Sequence, residues 1–103
     1  MYATHRCYEG VDESQLAELT RKIDEGLIPR LSKLPGFDGY FLLEGGEGTL
    51  RSISLFETFS QAEDSTRVAA EWAREEDLED LLVDPEVTVK KVFACVRKAP
   101  LLV

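Results

Sequence analysis

The sequence predicts an α+β domain of ferredoxin-like βαββαβ type, a four-stranded antiparallel sheet with two helices on one face. Two observations predict it. Along 103 residues the hydrophobic periods run in a fixed order: alternating strand, helical stretch, two alternating strands, helical stretch, alternating strand. The strands also carry apolar residues on both faces. Two helices cover only one face of such a sheet, so the other needs a partner, and a homodimer is expected.

The first strand runs from Tyr2 to Tyr8, with Ala3, His5 and Cys7 on one face and Tyr2, Thr4, Arg6 and Tyr8 on the other. The first helix starts near Asp12, which forms a capping box with Gln15, and buries Leu16, Leu19, Ile23 and Leu27. Pro29 lacks a backbone donor and its ring meets the carbonyl of Glu25, which predicts a kink. Leu31 and Leu34 extend the helix until Pro35-Gly36 stops it. The second strand, Phe37 to Glu44, sets Phe37, Gly39, Phe41 and Leu43 against Asp38, Tyr40, Leu42 and Glu44. Gly45 to Gly48 is a hairpin connection into the third strand, Thr49 to Glu57. A capping box of Ser60 and Glu63 opens the second helix, with a narrow stripe of Ala62, Ala69, Trp72 and Ala73. Leu78, Leu81 and Leu82 follow after a break, and Asp84-Pro85 is a turn. The fourth strand, Val87 to Val96, is rich in β-branched residues, and the apolar tail 101–103 is expected to dock on a partner subunit.

At 11.6 kDa the chain is one domain, residues 1–103. Its net charge of −8, from 20 acidic and 12 basic residues, excludes nucleic acid as an expected partner, because phosphate binding depends on basic patches. The longest apolar runs are far too short to span a bilayer, and no apolar leader precedes the first strand, so a cytoplasmic protein is expected. Cys7 and Cys95 fall near opposite ends of two antiparallel neighbours, beyond disulfide reach, and free thiols fit a reducing compartment.

The run Leu34-Pro35-Gly36-Phe37-Asp38-Gly39-Tyr40-Phe41, the glycine hairpin, Ser52 to Glu57 and Ala69-Ala70-Glu71-Trp72 follow one another in this chain. That succession resembles the antibiotic-biosynthesis monooxygenase-like (ABM-like) members of the dimeric α+β barrel superfamily, over about residues 2–97. The resemblance implies a dimeric barrel and a pocket between sheet and helices, lined by a tryptophan of the second helix and polar groups that include an asparagine. Trp72 is the position that matches the tryptophan. The chain contains no asparagine, and its single histidine, His5, lies on the first strand rather than on the second helix where haem-degrading members carry theirs.

Each chemical candidate has an alternative structural role. His5 is a possible general base, or a residue packed in the sheet. Trp72 stacks an aromatic substrate or fills the core under its helix. Tyr40, Tyr8, Arg6 and Arg51 offer contacts to a phenol or enolate, or serve as barrel lining and cross-strand pairs; arginine is the better anion clamp because its donors are fixed and always charged. The acidic run Glu71, Glu75, Glu76, Asp77, Glu79, Asp80 and Asp84 spreads around its helix with no histidine, a solvated face rather than a metal site. No phosphate loop, nucleophile elbow or zinc spacing occurs.

Two functions follow. One is a cofactor-free, metal-free monooxygenase-like enzyme acting on a hydrophobic, aromatic-like molecule, with His5 and Trp72 catalytic and Tyr40, Arg51, Arg6 and Tyr8 binding substrate. The other is a non-catalytic dimer, a ligand-binding or stress-related structural module.

Overall fold

The computed structural model describes residues 1–82 and 85–94. Its elements are β1 (Tyr2–Tyr8), α1 (residues 13–32), β2 (Phe37–Glu44), β3 (Leu50–Phe56), α2 (Phe59–Glu75) and β4 (Glu86–Lys91). The sheet is antiparallel throughout, in the order β2-β3-β1-β4, so the first and last strands are neighbours. This is the ferredoxin-like βαββαβ fold. β4 stops at Lys91 and residues 92–94 are not strand, so it is shorter than the predicted Val87 to Val96; Cys95, Val96 and the apolar tail lie outside the described residues.

Strand alternation divides the sheet into two unlike faces. Thr4 and Arg6 of β1 and Leu50, Ser52, Ser54 and Phe56 of β3 are buried beneath the helices. Ala3, His5 and Cys7 point the other way, opposite Leu55, Ile53 and Arg51 in register. On that outer face Phe41 and Leu43 of β2 remain 50% and 43% exposed. The predicted faces of β2 need one correction. A bulge at Asp38 opposes three residues of β2 to two of β3, and Phe37 turns to the helix side, where it meets Phe56 edge-on. Phe37 therefore packs on the core with Tyr40 and Leu42 rather than sharing a face with Phe41.

The core joins Leu19, Ile23, Leu27 and Leu31 of α1 to Ala69 and Trp72 of α2 and Leu50 of β3. Within α1 the geometry changes along the chain: a 3₁₀ turn (Glu13–Gln15), α-helix (Leu16–Lys22), a π-helical turn (Ile23–Leu27) and α-helix again (Ile28–Ser32). Asp12 caps the start, but it accepts from the amide of Ser14 rather than forming a box with Gln15. The predicted kink at Pro29 takes the form of the π-helical turn just before it. There the amide of Ile28 reaches back five residues to the carbonyl of Ile23, and Pro29, whose ring does not tolerate a regular α-turn before it, can follow.

The capping box of α2 is Thr58 with Gln61, two residues ahead of the predicted Ser60 and Glu63. Thr58 has the extended backbone that a cap requires, and the same Gln61 side chain lies over Gly36, whose φ of +75° and lack of Cβ allow the close approach. The helix then lays Ala62, Ser65, Ala69 and Trp72 on the sheet and core.

Candidate functional site

Small residues along α2 bring its backbone close to β1, and the hydroxyl of Thr4 fixes it there. Thr4 donates to the Ala62 carbonyl at 2.7 Å, and Ser65 donates to the same carbonyl at 2.6 Å. Against Ser65 lies Arg6, only 1% exposed. One terminal nitrogen donates to Ser65 Oγ at 2.8 Å and the other to Ser54 Oγ at 3.3 Å. Both partners are neutral. Among the described residues no carboxylate pairs with Arg6, and its Nε is buried without an acceptor. Burial pulls the guanidinium below its ordinary pKa, while the nearby phenol oxygens of Tyr8 and Tyr40 work in the opposite direction.

Beside Arg6 opens a cleft of about 520 Å³ between α2 and the sheet, lined by Arg6 and Tyr8 of β1 and by Thr66, Ala69, Ala70 and Ala73 of α2. Its volume suits a small-molecule site. Thr66 contributes a second buried polar atom without a partner, its Oγ1. At the rim stand Arg74, Glu79 and Asp80, with Arg74 and Glu79 paired at 3.4 Å. Burial raises the Tyr8 phenol above its ordinary pKa, and Arg6 opposes that rise. Tyr8 is thus a hydrogen-bond donor at neutral pH rather than a base.

The other candidates are distributed elsewhere. Tyr40 lies on the helix side, in a separate groove of about 420 Å³ with Ile23, Ile28 and Leu42. Burial raises its pKa, and a hydrogen bond with Ser52 opposes that rise. Trp72 is 1% exposed and belongs to the core; its indole Nε1 is buried without a partner against Gly26, where an added Cβ would stand 2.6 Å away. His5 and Arg51 project from the outer face, so the sheet separates them from Trp72 and from the cleft. Cys7, also on that face, is a buried free thiol. Thr66, Ser54 and Ser65 were not among the sequence candidates. Thr66 is legible only as a polar residue at helical spacing from Ala62, Ala69 and Ala73.

Among the described residues no three His, Cys, Asp or Glu side chains group to hold a metal, and no helix is long and apolar enough to cross a membrane.

The class these features define is a ferredoxin-like domain with a cleft between its second helix and its sheet. The fold is ABM-like, and solved structures match it over nearly the whole chain. The haem degrader MhuD of Mycobacterium tuberculosis, with two haems in its active site, superposes at a TM-score of 0.72 with 16% identity, covering 94% of this chain and 100% of its own. A monooxygenase from the ActVA-Orf6 gene of Streptomyces coelicolor, in complex with nanaomycin D, gives 0.69 and 14%, over 95% and 92%. A dimeric ferredoxin-like protein from an uncultured marine organism gives 0.67 and 11%, over 95% and 92%. Another match is a Nitrosomonas europaea protein of unknown function. The sequence matches no protein-family model and no curated protein. At these identities the likeness establishes the fold alone, so activity is argued from the cleft.

Proposed function

We propose that this chain is a cofactor-independent, monooxygenase-like enzyme whose substrate, a hydrophobic aromatic-like molecule, sits in the cleft between α2 and the sheet. The observation that carries this reading is a ligand-sized cleft with a buried arginine in its wall that pairs with no carboxylate among the described residues. An electron-rich substrate that loses a proton reduces dioxygen itself. Its CH₂ group and O₂ become C=O and H₂O, the carbon giving up four electrons and dioxygen accepting them. The protein's part is to hold the ring against Ala69, Ala70 and Ala73 and to stabilise the developing anion with the fixed charge of Arg6 and the hydroxyl of Tyr8. His5 and Arg51 have no part in this cleft, and Trp72 supports it by packing α1 against α2. The protein acts as a homodimer paired through the outer sheet face, a reading supported by exposed Phe41 and Leu43 and by the dimeric match. A cytoplasmic setting suits the free thiol of Cys7.

A second reading, a non-catalytic ligand-binding dimer, is favoured by the titratable lining. Among the described residues it consists of Arg6, Tyr8, Arg74, Glu79 and Asp80, with no histidine to act as base. The test is dioxygen uptake and binding with a panel of anthrones and hydroxynaphthalenes, on the native protein and on Ala73→Phe, which fills the cleft. Uptake of one O₂ per product, lost in Ala73→Phe, supports the enzyme. Binding without uptake moves the assignment to the second reading, and neither binding nor uptake overturns both.

A further inference from the structure

We infer that the outer sheet face is a pH-gated interface between two copies of this chain, formed at neutral pH and released on acidification by His5 at its centre. The inference rests on the homodimer reading and adds its regulation. The strand registers set Phe41, Ile53, His5 and Thr88 side by side as the middle row of that face, from β2 through β3 and β1 to β4. On β4, Glu86 and Lys90 flank this row, one on each side. The pattern is complementary to itself. A second copy turned about a two-fold axis along the middle row sets Phe41 and Ile53 on their own counterparts, and sets Glu86 against the partner's Lys90, twice over by symmetry.

His5 is the middle residue of β1, one of the two inner strands of the sheet. Any two-fold axis running in the plane of the face through its middle brings a central residue near its own image. His5 therefore meets the partner's His5 or lies one strand spacing, ~5 Å, to its side. Among the described residues the titratable and charged groups that share its face are Cys7 of β1, Arg51 of β3, and Glu86 and Lys90 of β4; β2 presents Phe41 and Leu43 there. Histidine is the side chain whose charge ordinarily changes between about pH 5 and 8. Two neutral imidazoles can be buried in such a row. Two imidazoliums place like charges together in an apolar layer, with Arg51 close by. Protons thus bind the separated copies in preference to the dimer, so association holds in the neutral range and is lost as pH falls. Two protons taken up per dimer raise the dissociation constant toward about 100-fold per pH unit on the acid side.

Sedimentation velocity at about pH 7.5 and about pH 5.5 measures the dissociation constant, with circular dichroism to verify folding. The native protein is compared with His5→Gln, which cannot charge, and with His5→Arg, which is always charged. The expected result is a native dimer at micromolar concentration whose dissociation constant rises about tenfold or more on acidification. His5→Gln dimerises with little change between the two conditions, and His5→Arg is a folded monomer in both. A native dimer with the same dissociation constant at both pH values overturns the inference and leaves the dimer standing. So does a pH dependence that persists in His5→Gln, or a His5→Arg protein that still dimerises. A native monomer in the neutral sample overturns both readings. Should the variants not fold, dilution calorimetry of the native dimer at about pH 6, in two buffers of different ionisation heat, decides the matter: protons are taken up as the dimer separates, and no uptake overturns the inference.

Discussion

Arg6 is the residue on which fold and function compete. A cation beneath a helix, held by two hydroxyls, opposes folding, and a methionine of similar length would fill the same space without a charge to desolvate. Arg6→Met should therefore stabilise the ligand-free protein by about 1 kcal/mol or more, a rise in Tm of roughly 4–8 °C in a domain of this size. A fall in Tm would mark Arg6 as a structural residue. Gly26 behaves oppositely. Its hydrogen gives the Trp72 indole room, so Gly26→Ala forces the ring aside and should cost about 1–3 kcal/mol in denaturant unfolding. The tyrosines supply the pH dependence. Tyr8 and Tyr40 both have folded pKa values raised by burial, so their contribution is complete below the unfolded value of about 10 and is lost as pH rises through the folded values. Unfolding free energy should decline above about pH 10, and phenolate absorbance of these residues should appear later than in the unfolded chain. Arg6 and Tyr8 were legible as candidates from their chemistry, and alternation put them on one face of β1. Which face the helices cover was not, since both are partly apolar, and a buried arginine runs against the usual place of that residue.

At the scale of the element, the order of strands and helices could be read from hydrophobic periods alone, because each segment is long enough to show its repeat. What escaped were devices of one or two residues. The bulge at Asp38 reverses the side of Phe37, and period-two alternation cannot signal a single inserted residue. Pro29 announced a disturbance in α1, but its form, a π-helical turn over Ile23–Leu27 whose Gly26 lies against Trp72, 46 residues on in sequence, is not written in the local pattern. Two Ser or Thr and Glu or Gln pairs of the same spacing compete to start α2, and the extended backbone of Thr58 decides for the earlier one. Thr58→Ala should therefore destabilise the protein by about 1 kcal/mol, whereas Ser60→Ala should be close to neutral, as chemical denaturation of both variants would show.

For the whole molecule, the sheet separates two tasks. Its helix side holds the core, Arg6 and the cleft; its outer side carries Phe41, Leu43 and Ile53, the face through which the proposed dimer would pair. Sedimentation should find a dimer at micromolar concentration, and Phe41→Asp with Leu43→Asp should return a folded monomer, since neither residue belongs to the core. The central claim concerns the other side of the sheet. Its most direct test is a crystal structure of the protein purified from its own host, with the cleft inspected for bound molecules. The account predicts density for a flat molecule against Ala69, Ala70 and Ala73, in the cleft beside Arg6. A cleft closed by the protein's own side chains, with a protein carboxylate on Arg6, would contradict it.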